Sequence, residues 1–159
     1  FVASGCGNES AVKILLDLGA DANQATTDIG VSPLHIAAQI NNSDIVNMLA
    51  EKGANLNCTT TDNGRTPLFV ASDNGAESAV KILLDLGADA NQATTNIGYS
   101  PLHIAAQINN SDIVKMLAEK GANINCTTTD NGRTPLFVAS GCGAESAVTI
   151  LLDLGADAN

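Results

Sequence analysis

Histidine and cysteine carry the most versatile chemistry in this 159-residue chain, because they can bind metals or act as bases and nucleophiles. The chain has the histidines His35 and His103 and the cysteines Cys6, Cys58, Cys126 and Cys142. The cysteines lack the C-x-x-C spacing of a zinc site. The glycines that flank Cys6 and Cys142 resemble a phosphate-binding loop, but no Lys-Ser follows them. The sequence therefore predicts no catalytic residue, no metal site and no cofactor.

A regular sequence repeat sets the positions of these side chains. The prolines mark a constant 34-residue period, at Pro33, Pro67, Pro101 and Pro135. Alternate repeats are more alike than neighbours: residues 26–93 and 94–159 align without a gap and differ at seven of the 66 positions compared. The duplicated unit is therefore a pair of repeats. The two histidines lie two repeats apart, roughly 16 to 20 Å for helices 8 to 10 Å apart, so they cannot share a metal.

Each repeat is predicted to form two short helices followed by an extended turn. Ser32 and Thr66 occupy N-cap positions before a proline, whose missing N–H is harmless at the first helical residue. Asn42 and Ser43 can cap a second helix with an apolar stripe, and Gly53 follows where helices end in a left-handed residue. Because one helix pair cannot bury its own apolar face, the pairs must stack into a solenoid.

Three motifs carry a family resemblance: S-P-L-H-I-A-A at residues 32–38, D-I-V-x-M-L-A-x-x-G-A-N-x-N at residues 44–57, and T-P-L-F-V-A-S at residues 66–72. Together they resemble the ankyrin repeat over the whole chain. The usual period of that family is about 33 residues, and the extra residue here falls in the turn before each proline. The Asn63-Gly64 pair in that turn is typical of a hairpin. The resemblance implies an all-α fold: an α-solenoid of stacked helix-turn-helix repeats joined by β-hairpin-like turns.

The repeats are predicted to form a single domain, residues 1–159. The repeat boundaries are 1–25 for a partial repeat, 26–59, 60–93 and 94–127 for full repeats, and 128–159 for a nearly complete one. The sequence starts inside a first helix and stops after a hairpin motif, without polar capping repeats. We therefore expect apolar stacking surfaces at both ends and head-to-tail self-association.

Charge and composition exclude several classes of function. The net charge is −10, from seven Lys and Arg against 17 Asp and Glu, and 3% of the residues are aromatic. Such a chain lacks the basic and aromatic surface that binds nucleic acid. No apolar run is long enough to span a membrane. Free thiols favour an intracellular, cytoplasmic location, whereas the five N-x-S/T sequons would fit secretion if they were glycosylated.

The resemblance implies a non-catalytic protein-interaction module that binds a protein partner through a concave face of first helices and hairpin tips. Four of the seven differences between the two long units fall at those places, including the only tyrosine. Drift at exposed positions is the alternative explanation. The candidate contact residues are Asp28, Val31, Gln39, Ile40, Asp62, Asp73, Asn74, Asn96, Tyr99, Gln107, Ile108, Asp130, Gly141 and Cys142.

Two other functions remain open at this stage. A structural spacer within a long tandem-repeat protein would explain the near-identity of the two units without any binding face. Enzymatic activity is the other alternative, and a fused catalytic domain is favoured over chemistry within the repeats. Acidic residues near the ends of the second helices form rows that predict either a solvated outer face or contact with a basic partner. These residues are Asp17, Asp85 and Asp153, followed by Asp21, Asp89 and Asp157.

A modification is also predicted at the hairpins. The motif L-x5-D-A-N resembles the segment that asparaginyl hydroxylase modifies in some ankyrin repeats. The resemblance marks Asn23, Asn91 and Asn159 as candidate hydroxylation sites. The alternative is that these asparagines hold the hairpin in place.

Overall fold

The computed structural model of the protein describes residues 2–158, which form ten α-helices and contain no β-strand. The helices are α1 (Val2–Gly5), α2 (Glu9–Asp17), α3 (Pro33–Gln39), α4 (Ser43–Glu51), α5 (Pro67–Asp73), α6 (Glu77–Asp85), α7 (Pro101–Gln107), α8 (Ser111–Glu119), α9 (Pro135–Gly141) and α10 (Glu145–Asp153). Four of them begin at the repeated prolines. The predicted pair of short helices per repeat is therefore confirmed.

The helix ends follow the residue types predicted to cap them. Ser32 is the N-cap of α3 and Pro33 its first residue, and the Asn42 side chain accepts the N–H of Ile45 at 2.9 Å. After α4, Gly53 adopts a φ of +81°, where an L side chain is strained. Each second helix therefore stops at a fixed glycine, and the chain turns back toward the next hairpin.

The helices stack in two layers. The first helices α1, α3, α5, α7 and α9 pack on one another in order, and so do the second helices α2, α4, α6, α8 and α10. Leu34, Leu68 and Leu102 from the first layer and Leu83 and Leu117 from the second are fully buried. Alanines such as the one at position 71 are also buried and let neighbouring helices approach closely. The core is therefore continuous along the stack, as the prediction of an all-α solenoid requires.

The hairpins form a third strip beside the first helices. Within one hairpin, Thr60 donates its N–H to the carbonyl of Arg65 at 3.0 Å. Between hairpins, Thr61 donates to Ile29 and Thr95 donates to Asn63, each at 2.9 Å. One backbone hydrogen bond per junction thus links successive hairpin tips, too few to make a β-sheet.

Alternate junctions contain a helix cap supplied by the preceding repeat. The N-cap position of α6 is Ala76, whose methyl group cannot accept a hydrogen bond. The Oδ1 atom of Asn41 instead accepts the N–H of Ala79 at 2.9 Å. Asn41 reaches this position with a φ of +57°. Asn109 does the same for α10, so the two repeats of each duplicated unit are joined by a side-chain cap.

Candidate functional site

The two histidines brace the start of a first helix against the next hairpin. His35 Nε2 lies 2.9 Å from the carbonyl oxygen of Arg65, which can only accept, so Nε2 carries the proton. His35 Nδ1 is therefore an acceptor: it receives the N–H of Ser32 at 3.1 Å and lies 2.8 Å from the Ser32 hydroxyl. His103 repeats this arrangement one unit later. Both histidines and their serine partners are almost completely buried, and each Nδ1 already accepts a backbone N–H, which supports a structural role for the pair.

The thiols beside these histidines are not activated. Cys58 Sγ lies 3.3 Å from the Ser32 hydroxyl and 3.8 Å from His35 Nδ1. Burial raises the pKa of Cys58 and of Cys126, which keeps both thiols protonated at neutral pH. Serine, histidine and cysteine thus meet as a packed cluster rather than as a nucleophile with its base.

Among residues 2–158, no group of three or more His, Cys, Asp or Glu side chains is arranged to hold a metal ion. Over the same residues, no helix has the length and apolar character needed to cross a membrane.

Acid should weaken the fold through the two buried histidines. Burial lowers the pKa of His35 and His103, so the unfolded chain takes up protons at a higher pH than the native one. We expect the free energy of unfolding to fall as the pH drops below about 6.5, by at most about 1.4 kcal/mol per pH unit for each histidine. Urea unfolding between about pH 7.5 and 5.5 measures this effect.

A double variant provides the control for this pH dependence. His35→Phe with His103→Phe places at both sites the residue that alternate repeats carry there, at Phe69 and Phe137. The double variant should lose the slope in this pH range, although its overall stability is lower. A wild-type stability that stays constant from pH 7.5 to pH 5.5 would contradict the prediction.

A continuous groove runs along the first helices and hairpins, and we call it the groove face. It consists of three pockets of about 340, 440 and 340 Å³. The first and second pockets share Arg65 and Asp73, and the second and third share Tyr99, Gln107 and Arg133. Because neighbouring pockets share lining side chains, the three pockets adjoin one another along the stack.

Most of the predicted contact residues line the groove face. These are Val31, Gln39, Asp62, Asp73, Asn74, Asn96, Tyr99, Gln107, Gly141 and Cys142. The other four lie outside the pockets: Asp28 and Asp130 are in hairpin turns, and Ile40 and Ile108 end α3 and α7. The structure thus brings the helix and hairpin residues into one surface, and binding through that surface stays a prediction.

The sequence prediction omits two arginines and two phenylalanines at the groove face. The Cζ atom of Arg65 lies 5.5 Å from the centre of the Phe69 ring, and that of Arg133 lies 5.8 Å from the Phe137 ring. Each arginine directly precedes a Thr-Pro helix start, so its recurrence in both units was a usable signal. The position belongs to the stem of the hairpin, whereas the prediction considered the hairpin tips and helix ends.

The acidic rows on the second helices are partly neutralised by lysines. Asp85 contacts Lys81 of its own helix at 2.8 Å and Lys120 of the next repeat at 2.7 Å. Hydrogen bonds from Lys120 and then Lys81 lower the pKa of Asp85 to about 2. Asp17 has the same two kinds of contact. Two of the predicted row residues therefore link successive repeats, and the outer face is less anionic than the residue count indicates.

The asparagines predicted as hydroxylation sites bridge successive repeats. Asn91 Oδ1 accepts the N–H of Asn123 at 2.8 Å, and Asn91 Nδ2 donates to the carbonyl of Gly121 at 3.0 Å. Asn23 makes the equivalent pair of bonds. These bonds support a structural role in the hairpin, and hydroxylation stays a prediction. Asn159 lies outside the described residues.

Stacked helix pairs joined by hairpins define the class of α-solenoid repeat proteins. A sequence model described as ankyrin repeats (3 copies) matches residues 1–94 and 90–159. These matches cover the whole chain, which therefore belongs to the ankyrin-repeat family, as its motifs predict. No curated protein sequence is significantly similar to the chain. Ankyrin repeats are generally protein-interaction modules and typically not catalytic.

Proposed function

We propose that this protein is a non-catalytic interaction module whose groove face binds a protein partner. The observation that carries the proposal is where the two near-identical units differ. Three of the seven differences place Tyr99, Gly141 and Cys142 in one pocket, where the first unit has valine, aspartate and asparagine. Asn96, a fourth difference, lines the adjoining pocket.

The side chains of the third pocket are suited to binding. Tyrosine and arginine are the residue types that most often dominate protein interfaces. The Tyr99 hydroxyl donates to Gln107 Oε1 at 2.6 Å, and its ring centre lies 4.9 Å from that of His103. A tyrosine that is already held in place loses little conformational freedom when a partner binds. This pocket is therefore a preorganised anchor within a longer groove.

Converting the groove-face residues of the second unit to those of the first should weaken capture of the partner. The variant carries Asn96→Asp, Tyr99→Val, Gly141→Asp and Cys142→Asn, so every new residue is one that the same fold already accommodates in the first unit. Because the changes remove the tyrosine anchor and add two negative charges, we expect affinity to fall at least about tenfold, equivalent to about 1.4 kcal/mol. Affinity capture from cell extract followed by a binding titration measures the change.

Two of the remaining differences provide a matched control. Lys115→Asn and Thr149→Lys convert positions on the second helices α8 and α10, which lie in the other layer of the stack. This control variant should capture the same partner with unchanged affinity. An equal loss of affinity in the groove-face variant and in the control variant would contradict binding through the groove face.

A spacer is the second candidate function, and the near-identity of the two units favours it. A spacer needs only repetition, so capture of no partner by the wild-type chain would support this function. Head-to-tail association belongs to the same proposal. Apolar side chains are exposed on the first and last described repeats, with Leu18 at 80%, Ile14 at 59% and Phe137 at 59% exposure.

The proposed location is intracellular, because the half-buried thiols of Cys58 and Cys126 are unpaired.

A further inference from the structure

The first and third pockets of the groove face are equivalent sites in the two duplicated units. In the first pocket, Arg65 Nη1 lies 3.7 Å from Asp73 Oδ2, so the guanidinium has a carboxylate of its own repeat. In the third pocket, Arg133 takes the place of Arg65 and Gly141 that of Asp73. Among residues 2–158, no carboxylate lies within 4.0 Å of the Arg133 guanidinium. The second unit has thus kept the arginine without its partner.

From this comparison we infer that the third pocket binds an aspartate or glutamate side chain of an extended protein segment, with Arg133 as its ion-pair partner. The inference rests on the proposed function and specifies the chemistry of the partner. A carboxylate matches the guanidinium because two parallel N–H groups can donate to its two oxygens. The partner would supply the negative charge that Asp73 supplies within the first unit.

The rest of the pocket is arranged to receive such a group. A Cβ atom at Gly141 would meet no atom within 4 Å, so the space next to this backbone position is open where the first unit has the aspartate side chain. Burial raises the pKa of Tyr99, which keeps its hydroxyl protonated. That hydroxyl donates to Gln107 Oε1, and the amide N–H groups of Gln107 are left as donors at the wall of the pocket. Hydrogen-bond donors and open space therefore meet beside Arg133.

The surroundings of the third pocket are less acidic than those of the first. The second unit lacks two carboxylates near the groove face, at the positions of Asp28 and Asp73. Asp130 remains nearby, and its Oδ1 accepts the N–H of Asn131 at 2.8 Å within its own hairpin turn. The Thr128 hydroxyl and, more weakly, Arg133 lower the pKa of Asp130, as Thr60 and Arg65 lower that of Asp62 in the first unit, so this carboxylate does not distinguish the two pockets. Asp73 lines the second pocket together with Arg133, but it pairs with Arg65 and makes no ion pair within 4.0 Å of the Arg133 guanidinium. Charges farther along the chain act weakly at this point, because fields are screened over about 8 Å at physiological ionic strength. The third pocket can therefore bind an acidic segment although the chain has a net charge of −10.

Selection from a displayed library of short random peptides tests the inference. The wild-type chain is compared with Gly141→Asp, which restores the internal ion pair, and with Gly141→Asn, which adds the same bulk without charge. We expect peptides selected by the wild type to share an acidic residue. Changing that residue to its amide should weaken binding by about tenfold to the wild type and to Gly141→Asn, but have no effect with Gly141→Asp or Arg133→Gln.

The first pocket offers the reciprocal experiment. Asp73→Gly releases Arg65 from its internal carboxylate, and we expect this variant to gain a second site with the same preference for the acidic peptide. Thermal unfolding of each variant confirms that it is folded. Peptides that bind the groove face without an acidic preference, or whose preference survives Arg133→Gln, would overturn the inference and leave the proposed function standing. Failure to select any peptide would overturn the inference for extended segments, while the capture experiment decides the proposed function separately.

Discussion

Replacing Gly64 with alanine is expected to destabilise the protein by about 3 kcal/mol, against about 1 kcal/mol for the same change at Gly132. Both glycines have a left-handed backbone, with φ of +72° and +68°, so the strain of an L residue is common to the two variants. They differ in their surroundings. A Cβ atom at Gly64 would lie 2.5 Å from Thr95 Cγ2 and 2.9 Å from the Thr95 backbone nitrogen, whereas Gly132 has no atom within 4 Å.

The extra cost at Gly64 falls on the contact between hairpins. Thr95 donates its N–H to Asn63 at 2.9 Å, so displacing Thr95 breaks the bond that joins the two tips. Urea unfolding measures the loss of stability, and amide hydrogen exchange at Thr95 shows whether that bond opens. Gly98→Ala, with Thr129 Cγ2 at 2.8 Å, should fall between the other two variants. Equal losses for Gly64→Ala and Gly132→Ala would show that the packing of the hairpins is not the cause.

Replacing His103 with alanine is expected to cost about 3 to 4 kcal/mol. The side chain is completely buried, so its removal leaves a cavity. It also leaves the N–H of Ser100 without its acceptor and the carbonyl of Arg133 without the donor at 2.9 Å. Because Arg133 carries the guanidinium of the third pocket, the same variant should also loosen that wall of the groove face. Chemical unfolding and peptide binding measure the two effects.

Two other substitutions separate the contributions to this loss. His103→Phe restores most of the volume without the hydrogen bonds and should cost about 1 to 2 kcal/mol. Cys126→Ala removes the thiol that lies 3.7 Å from His103 Nδ1 and should cost less than about 1.5 kcal/mol, since a free thiol acts as a small apolar group. A loss at Cys126 as large as that at His103 would mean that the thiol, not the histidine, holds the cluster together.

The sequence predicts those parts of the fold that depend on neighbouring residues. Ser32 with Pro33 begins a helix, Asn42 caps the next one, and Gly53 ends it, because capping and left-handed conformations are decided within a few residues. The repeat period adds the stacking, since equivalent residues at regular intervals must meet equivalent neighbours. These two sources account for the architecture and for the placement of most candidate contacts.

Contacts between non-equivalent positions are what the sequence does not show. Asn41 caps α6 through Ala79, and Asp85 pairs with Lys120, although neither pair occupies equivalent positions of two repeats. Both contacts depend on how far one repeat is shifted and rotated on the next. The groove arginines are not predicted for a related reason. The role proposed for Arg133 depends on the absence of a carboxylate at position 141, and the sequence does not show that positions 133 and 141 line the same pocket.

Asn41 supplies the N-terminal cap of a helix in the next repeat. This dependence constrains how an array of such repeats can lengthen or shorten by recombination. The repeat of Gly75 and Ala76 has no side chain that could cap a following helix, so two such repeats in succession would leave an uncapped helix, at a cost of about 1 kcal/mol. The repeat of Asn41 and Asn42 caps its own second helix and can follow either kind. Gain or loss of a complete two-repeat unit therefore keeps every junction intact, whereas loss of a single repeat of the Asn41 kind leaves one helix without its cap.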